Sequence, residues 1–322
     1  MTARLTLAEA AEYLRTHDDY LLLSHRRPDG DTVGCCAALC RALRAVGKRA
    51  WVYPNPQFTP KFMPFLENLI LRPEQSSILN SQFSIVSCDV AARSLLPFGM
   101  EEADVDLALD HHGTNDGFAA RTHTDESRAA CGELMLELLP LLGAELTREI
   151  ADALYVAVST DTGCFRYANV TAGTFRAAAA CTAAGADIYR INRVFFETKR
   201  RPRLQLEARL TEEMEFFADG KVAVSAIPDR LIDELGLTED DIDDISGYGR
   251  TVEGVQIAAM LREVEGGKGK ISLRCSPAYD AARICARLGG GGHPGAAGAT
   301  VDGGIPAARE AILKAISPEI AL

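Results

Sequence analysis

From Tyr20 onward, short apolar runs of strand length alternate with longer helical patterns: "YLLLS", "TVGCCAALCRALRAVG", "RAWVY", "FSIVSCDV" and "VDLALD", then helical stretches near 129–142 and 147–159. This alternation predicts an α/β fold in which a parallel sheet carries helices on both faces. The first long helix is expected to start with Thr32 as its N-cap and to stop at Gly47.

In such folds ligands gather outside the carboxyl ends of the strands. The polar clusters of this chain fall at those places. "SHRRPDGD" follows "YLLL", Asp89 ends "FSIVSCD", "DHH" ends "VDLALDHH", and Asp161 lies in "STDTG", read as the end of the apolar stretch "ALYVAVST". Alone, His25, Asp29 and Asp31 describe a turn in which Pro28 and Gly30 set the backbone. With Asp89, Asp110, His111, His112 and Asp161, at least five carboxylates and three imidazoles converge. Carboxylates crowded in this way repel and raise one another's pKa unless a cation neutralises them. Asp and His donors without a thiolate suit Mn²⁺ or a similar divalent ion. Their number points to two ions, a device for activating water and clamping a phosphoryl group. Asp110 is read as the partner that fixes the tautomer of a neighbouring histidine.

Beyond Glu212 the pattern changes to hairpins, one turning at Asp219-Gly220 and one across Gly266 to Gly269. The expected organisation is a catalytic domain at 1–190, a helical linker at 191–212 and a smaller α+β domain at 213–322. Within the last, "RLGGGGHPGAAG" (Arg287 to Gly298) strips side chains from a loop and lets backbone N–H groups approach an anion or nucleotide, with Arg274 as a nearby cation. His17 and His123 read as surface residues. The acidic run "TEDDIDD" (238–244) reads as a solvated loop.

The chain has 322 residues, a net charge of −11 and nine cysteines without a C-x-x-C pair. The charge argues against coating long nucleic acid, and the cysteines read as reduced core residues of a cytoplasmic protein. No apolar run is long enough to span a membrane, and the charged N-terminus does not resemble a signal peptide.

The motifs "SHRRPDGD", "SCDV", "LDHHG", "STDTGCFRY" and "GGGGHPGAAG", in this order, resemble the DHH phosphoesterase superfamily with its type 1 DHH-associated C-terminal domain, across nearly the whole chain. The resemblance implies two divalent ions, Mn²⁺ in relatives. His25 and Asp29 would hold one, Asp31 the other, Asp89 would bridge both, and His111 and Asp161 would complete the set. It places His112 beside the scissile phosphate, as a hydrogen-bond donor or general acid to the leaving oxygen. Gly291, Gly292, His293 and Arg274 would grip the nucleotide, with Arg166 and Arg250 as further counter-charges.

In length and plan the chain looks like short bacterial members that degrade RNA of a few nucleotides and remove the 3′-phosphate of adenosine 3′,5′-bisphosphate. The expected partners are therefore short RNA and small nucleotides; a homodimer is compatible with the sequence. The alternatives are a phosphodiesterase of cyclic di-AMP or its linear product, and a non-catalytic nucleotide sensor.

Overall fold

Parallel pairing runs through the whole N-terminal sheet. The computed structural model describes residues 2–72, 83–242 and 245–321, and by contacts the chain divides into two units, Met1–Thr198 and Lys199–Leu322. The first unit contains β1 (Ala3–Arg4), α1 (Leu7–Thr16), β2 (Tyr20–Leu23), α2 (Gly30–Ala45), β3 (Ala50–Val52), α3 (Met63–Leu66), β4 (Ser84–Cys88), β5 (Leu107–Asp110) and β6 (Arg121–Thr124). It continues through α4 (Cys131–Leu142), α5 (Arg148–Asp161), α6 (Ala172–Ala183) and α7 (Ile188–Asn192). The strand order is β1-β6-β5-β4-β2-β3, and each neighbouring pair is parallel.

Side chains alternate across this sheet, as a strand requires. Tyr20, Leu22, Val86, Leu107 and Leu109 face a core shared with α1, α2, α4 and α5. Leu21, Leu23, Trp51 and Ala108 face the other way, where Val90, Leu96, Val105 and Ala119 cover them. On that second face the described helical cover is a single 3₁₀ turn, Arg93–Leu95; loops supply the rest.

The helix α2 starts three residues earlier than expected. Asp29 is its N-cap, accepting from the N–H groups of Asp31 and Thr32 at 3.0 and 3.2 Å. Thr32 has other work: its hydroxyl donates to the Cys88 carbonyl at 2.7 Å and accepts from His25 N–H at 3.2 Å, tying the loop after β2 to the end of β4. At the other end Gly47 stops the helix with a left-handed φ of 82°. Two glycines let α2 lie against α5. A Cβ on Gly30 would overlap the Thr160 side chain, and one on Gly34 would overlap the Ala153 carbonyl and stand 2.8 Å from the Ala157 Cβ. This close crossing carries Asp161, the last residue of α5, to the start of α2.

The second unit begins with α8 (Arg201–Glu212), so the segment read as a linker ends in a helix packed with this unit through Leu206 and Leu210. There follow β7 (Glu215–Phe217), β8 (Val222–Ile227), α9 (Asp229–Leu235), α10 (Glu239–Ile242), β9 (Ile257–Val264), β10 (Lys268–Cys275), α11 (Ala281–Ala286), β11 (Gly291–His293), β12 (Ala296–Asp302) and α12 (Gly304–Ile316). Strand order is β11-β12-β10-β9-β8-β7, antiparallel except for β8 with β9. Both expected hairpins form, β7-β8 and β9-β10, although Gly269 lies within β10 rather than in the turn. The helices α11 and α12 cover one face of this sheet. All nine cysteines are free, and eight of them are buried. Among the described residues no helix is long and apolar enough to cross a membrane.

Candidate metal centre

The acidic and imidazole groups converge where β2, β4 and β5 end. The helix expected near 147–159 forms as α5, and Asp161 closes it, so this residue comes from a helix end rather than from a strand end. Ligand atoms fall into three overlapping groups, each within 4.8 Å: His25, Asp29 and Asp89; Asp31, His111 and Asp161; Asp89, His111 and His112. Every residue that the resemblance assigned to metal binding is therefore in one cluster, and Asp89 and His111 each belong to two groups.

Each side chain is held by a local device. Asp89 is buried with a left-handed φ of 59°, uncommon outside glycine but tolerated by aspartate, and its N–H is pinned to the Leu109 carbonyl at 2.8 Å. Its Oδ1 has no hydrogen-bond partner, lying 3.4 Å from His111 Nε2 and 3.5 Å from His112 Nδ1. His111 is oriented by its Nδ1, 3.1 Å from the Arg128 carbonyl. That contact makes Nδ1 the protonated nitrogen and leaves the Nε2 lone pair facing Asp89 Oδ1, Asp161 Oδ2 at 3.5 Å and Asp31 Oδ2 at 3.8 Å. His25 Nε2 stands 3.4 Å from Asp29 Oδ2, and buried Asn55 donates to the His25 carbonyl at 3.0 Å.

Asp110 does what the sequence suggested. It is fully buried; Oδ1 accepts from His112 Nδ1 at 2.8 Å and from two backbone N–H groups, and Oδ2 accepts from Asn115 at 2.6 Å. Burial alone would raise its pKa, but the bonds from His112 and Asn115 outweigh that and hold it below the usual value. The same Asp110 bond raises the pKa of His112.

Three of the other carboxylates are strained electrostatically, whereas desolvation of Asp29 is outweighed by the bond and charge of His25 and by two backbone N–H groups, which hold it low. Burial, then the charges of Asp161 and Asp29, push Asp31 well up; burial, then Asp31 and Asp29, do the same to Asp89. Asp161 is pushed up to about 7 by burial and by Asp29. Burial and His112 depress His111, keeping it neutral. Buried carboxylates raising one another's pKa around a neutral imidazole lone pair, with Asp89 Oδ1 and His111 Nε2 both unpartnered, fit a site for divalent cations. Oxygen and nitrogen donors alone could hold a hard or borderline ion.

Several supports escaped the sequence reading: Asn55, Asn115 and the Arg128 carbonyl, while Thr32 reads there only as a helix cap. Polar loop residues at irregular spacing carry no periodic signal, so only the folded geometry identifies them. His17 is exposed as expected, its Nδ1 2.9 Å from the Tyr13 carbonyl. His123, expected at the surface, is half-buried in β6 with Nδ1 3.0 Å from the Leu5 carbonyl. The acidic run is not simply solvated: Asp241 is buried, bonded to Thr238 and paired with Arg200, while Asp243 and Asp244 lie outside the described residues.

Of the expected substrate contacts, Arg166 is exposed on the loop after Asp161. The others belong to the second unit. Here the glycine run is a turn followed by an edge strand rather than a loop: Gly291–His293 is β11, paired with β12. A Cβ on Gly292 would stand 2.6 Å from the Ala296 carbonyl oxygen, so the pairing needs its glycine. The register sets His293 opposite Ala296, and Ala296 opposite Arg274, placing these two residues in one row. Arg250 donates to the Val255 and Gln256 carbonyls at 2.8 and 3.2 Å, holding the turn before β9.

Comparison with known proteins is consistent with this division. The DHH family, N-terminal domain, matches residues 20–158, and the DHHA1 domain matches residues 219–321. A Thermus thermophilus protein named bifunctional oligoribonuclease and PAP phosphatase NrnA is 34% identical over 318 residues, covering 98% of this chain and 92% of that one. Its Bacillus subtilis namesake is 23% identical over 301 residues, covering 90% and 92%. Among solved structures, an exopolyphosphatase-related protein from Bacteroides fragilis superposes with a TM-score of 0.86 at 22% identity, covering 97% and 95% of the two chains.

Proposed function

Because this chain belongs to the DHH family and carries a DHHA1 domain C-terminal to it, we propose that it is a metal-dependent phosphoesterase. Its substrates are short oligoribonucleotides, which it cuts to mononucleotides, and adenosine 3′,5′-bisphosphate, from which it removes the 3′-phosphate. The observation that carries this reading is the buried, unpartnered Nε2 of His111 facing three carboxylates. The names of the relatives supply the substrate class, and the net charge of −11 favours small substrates over long duplexes.

We assign His25, Asp29, Asp31, Asp89, His111 and Asp161 to two divalent ions, and Mn²⁺ suits their Asp and His donors. When bound, such a pair supplies Lewis acidity and charge neutralisation for transfer of a phosphoryl group to water. The chain's own contribution lies around it. Asp110 holds His112 by Nδ1 and raises its pKa, so His112 keeps a proton at Nε2 for the leaving oxygen. Asn115 and two backbone N–H groups keep Asp110 ionised for that task. In the first unit Arg166 is assigned to substrate phosphate; in the second, Arg274, Gly291, Gly292 and His293 are assigned to nucleotide binding. Nine free cysteines fit a reducing compartment, the cytoplasm.

The test is kcat/KM measured side by side on a dinucleotide, a five-nucleotide RNA, adenosine 3′,5′-bisphosphate and cyclic di-AMP, with Mn²⁺ and with chelator. Turnover of the linear compounds in Mn²⁺ alone supports the proposal. Preference for cyclic di-AMP would replace it with the cyclic dinucleotide reading, and absence of turnover on all four with that of a sensor.

A further inference from the structure

The loop that follows Asp161 is fixed more firmly than a connector requires, and it leaves an aromatic ring in the open. Gly163, Cys164 and Phe165 all adopt left-handed φ values, 55°, 56° and 63°. For Cys164 and Phe165 that conformation is costly and persists only where surroundings impose it. The imposing bonds are short. Cys164 N–H donates to the Ser159 carbonyl at 2.7 Å, and the N–H groups of Arg166 and Tyr167 donate to the Thr162 carbonyl at 2.9 and 3.1 Å. The Arg166 Nε donates to the Gly163 carbonyl at 2.6 Å, and Asn169 donates to the carbonyls of Ala129 and Asp161 at 3.1 Å.

Two aromatic rings leave this frame. Phe165 is half-buried, stacked on the exposed Phe175 with centroids 5.6 Å apart and packed near Tyr155. Tyr167 turns outward and is 57% exposed. Its ring lies against the bare backbone of Gly163, where an added Cβ would stand 2.7 Å from Cδ1. Gly163 is only two residues from Asp161, at most about 7.6 Å along the Cα trace. An exposed ring adds little to folding, yet the strained backbone that follows Asp161 holds this one against Gly163.

We propose that Tyr167 is a stacking platform for the substrate's nucleobase and thereby a specificity-determining residue of the site. This inference rests on the nucleotide phosphoesterase reading, to which it adds a base subsite. A flat ring fits any base, because every base has a π-face, so the platform selects for the presence of a base rather than its identity. The exposed side chain of Arg166, held next to it, suits the adjoining phosphate.

The experiment is calorimetric titration of the full chain in Mn²⁺, for the wild type, Tyr167→Phe and Tyr167→Leu. The two probes are the reaction product adenosine 5′-monophosphate and base-free 1-deoxyribose 5-phosphate, neither of which carries the 3′-phosphate that is removed. Tyr167→Phe keeps the π-face and stays within about two-fold of wild type on both. Tyr167→Leu weakens the nucleotide by about ten- to a hundred-fold, with the loss confined to the base-bearing probe; in turnover the effect falls on KM rather than kcat. Equal nucleotide affinity in wild type and Tyr167→Leu, the same loss on both probes, or no nucleotide binding by the wild type overturns the inference. Nucleotide binding with the expected pattern but without hydrolysis leaves the inference standing and removes the phosphoesterase reading instead.

Discussion

The carboxylate of Asp31, in the first turn of α2, accepts a 2.6 Å hydrogen bond from the N–H of Cys131, the first residue of α4. Its other oxygen accepts from Gly132 N–H at 2.9 Å and from the Cys35 thiol at 3.3 Å. The residue before α4 is Ala130, which offers no side-chain cap, so Asp31 supplies the hydrogen-bond acceptor for that helix end from another element. Asp31→Ala is therefore expected to lose about 1–3 kcal/mol of stability in urea even with chelator present. Asp161→Asn, which removes a carboxylate with no such duty, is expected to lose none under the same conditions. Equal melts for Asp31→Ala and wild type would show that the capping role is wrong.

Gly34→Ala tests the crossing of α2 and α5. The new methyl meets backbone at the Ala153 carbonyl, which cannot swing aside as a side chain could. Forcing the helices apart should cost about 1–3 kcal/mol. It should also lower Mn²⁺ affinity by calorimetry, because it moves Asp161 away from Asp31 without touching any ligand. A destabilised variant with unchanged metal affinity would separate the crossing from the site.

The pKa of Asp161 gives a dependence on pH with a definite sign. It stands at about 7 in the metal-free fold against 3.8 for an ordinary aspartate. Its contribution to stability is therefore complete below 3.8 and disappears as pH rises through about 7. With chelator, wild type should lose more Tm than Asp161→Asn between pH 5 and pH 8. With saturating Mn²⁺ the trend should reverse for wild type, since binding requires the carboxylate and strengthens as it deprotonates. Parallel pH profiles for the two proteins in chelator would contradict the crowding of charge.

Asp110→Asn should leave metal affinity near that of the wild type and reduce kcat by about 10- to 100-fold. The acceptor that raises the pKa of His112 is weakened, so the alkaline limb of the pH–kcat profile should move to lower pH. An unshifted limb would remove His112 as the group holding the proton.

The sequence reveals the site better than the scaffold that makes it. Strand ends at Asp89 and Asp110 follow from alternating apolar runs, and the convergence of loops is a rule of parallel sheets. Asp161 reaches the same place from a helix, α5, which the pattern near 147–159 already marks as helical although the sequence groups the residue with the strand ends. Thr32 looks like an N-cap and is one residue type among several at that start; its bond to the Cys88 carbonyl, 56 residues away, decides the matter in favour of Asp29. The strand β6 carries "RTHT" with a single buried residue, Thr122, too polar to stand out. The double duty of Asp31 spans 100 residues, and no local pattern contains it.

Hydrolysis driven by a cation site is tested most directly by one titration. Protein stripped with chelator is supplied with Mn²⁺ in increments while release of phosphate from adenosine 3′,5′-bisphosphate is followed. No turnover without metal, rising to a plateau near two equivalents per chain and absent from Asp89→Ala throughout, is the predicted result. Turnover that survives chelation, or an Asp89→Ala variant that keeps near-normal turnover, would contradict the account.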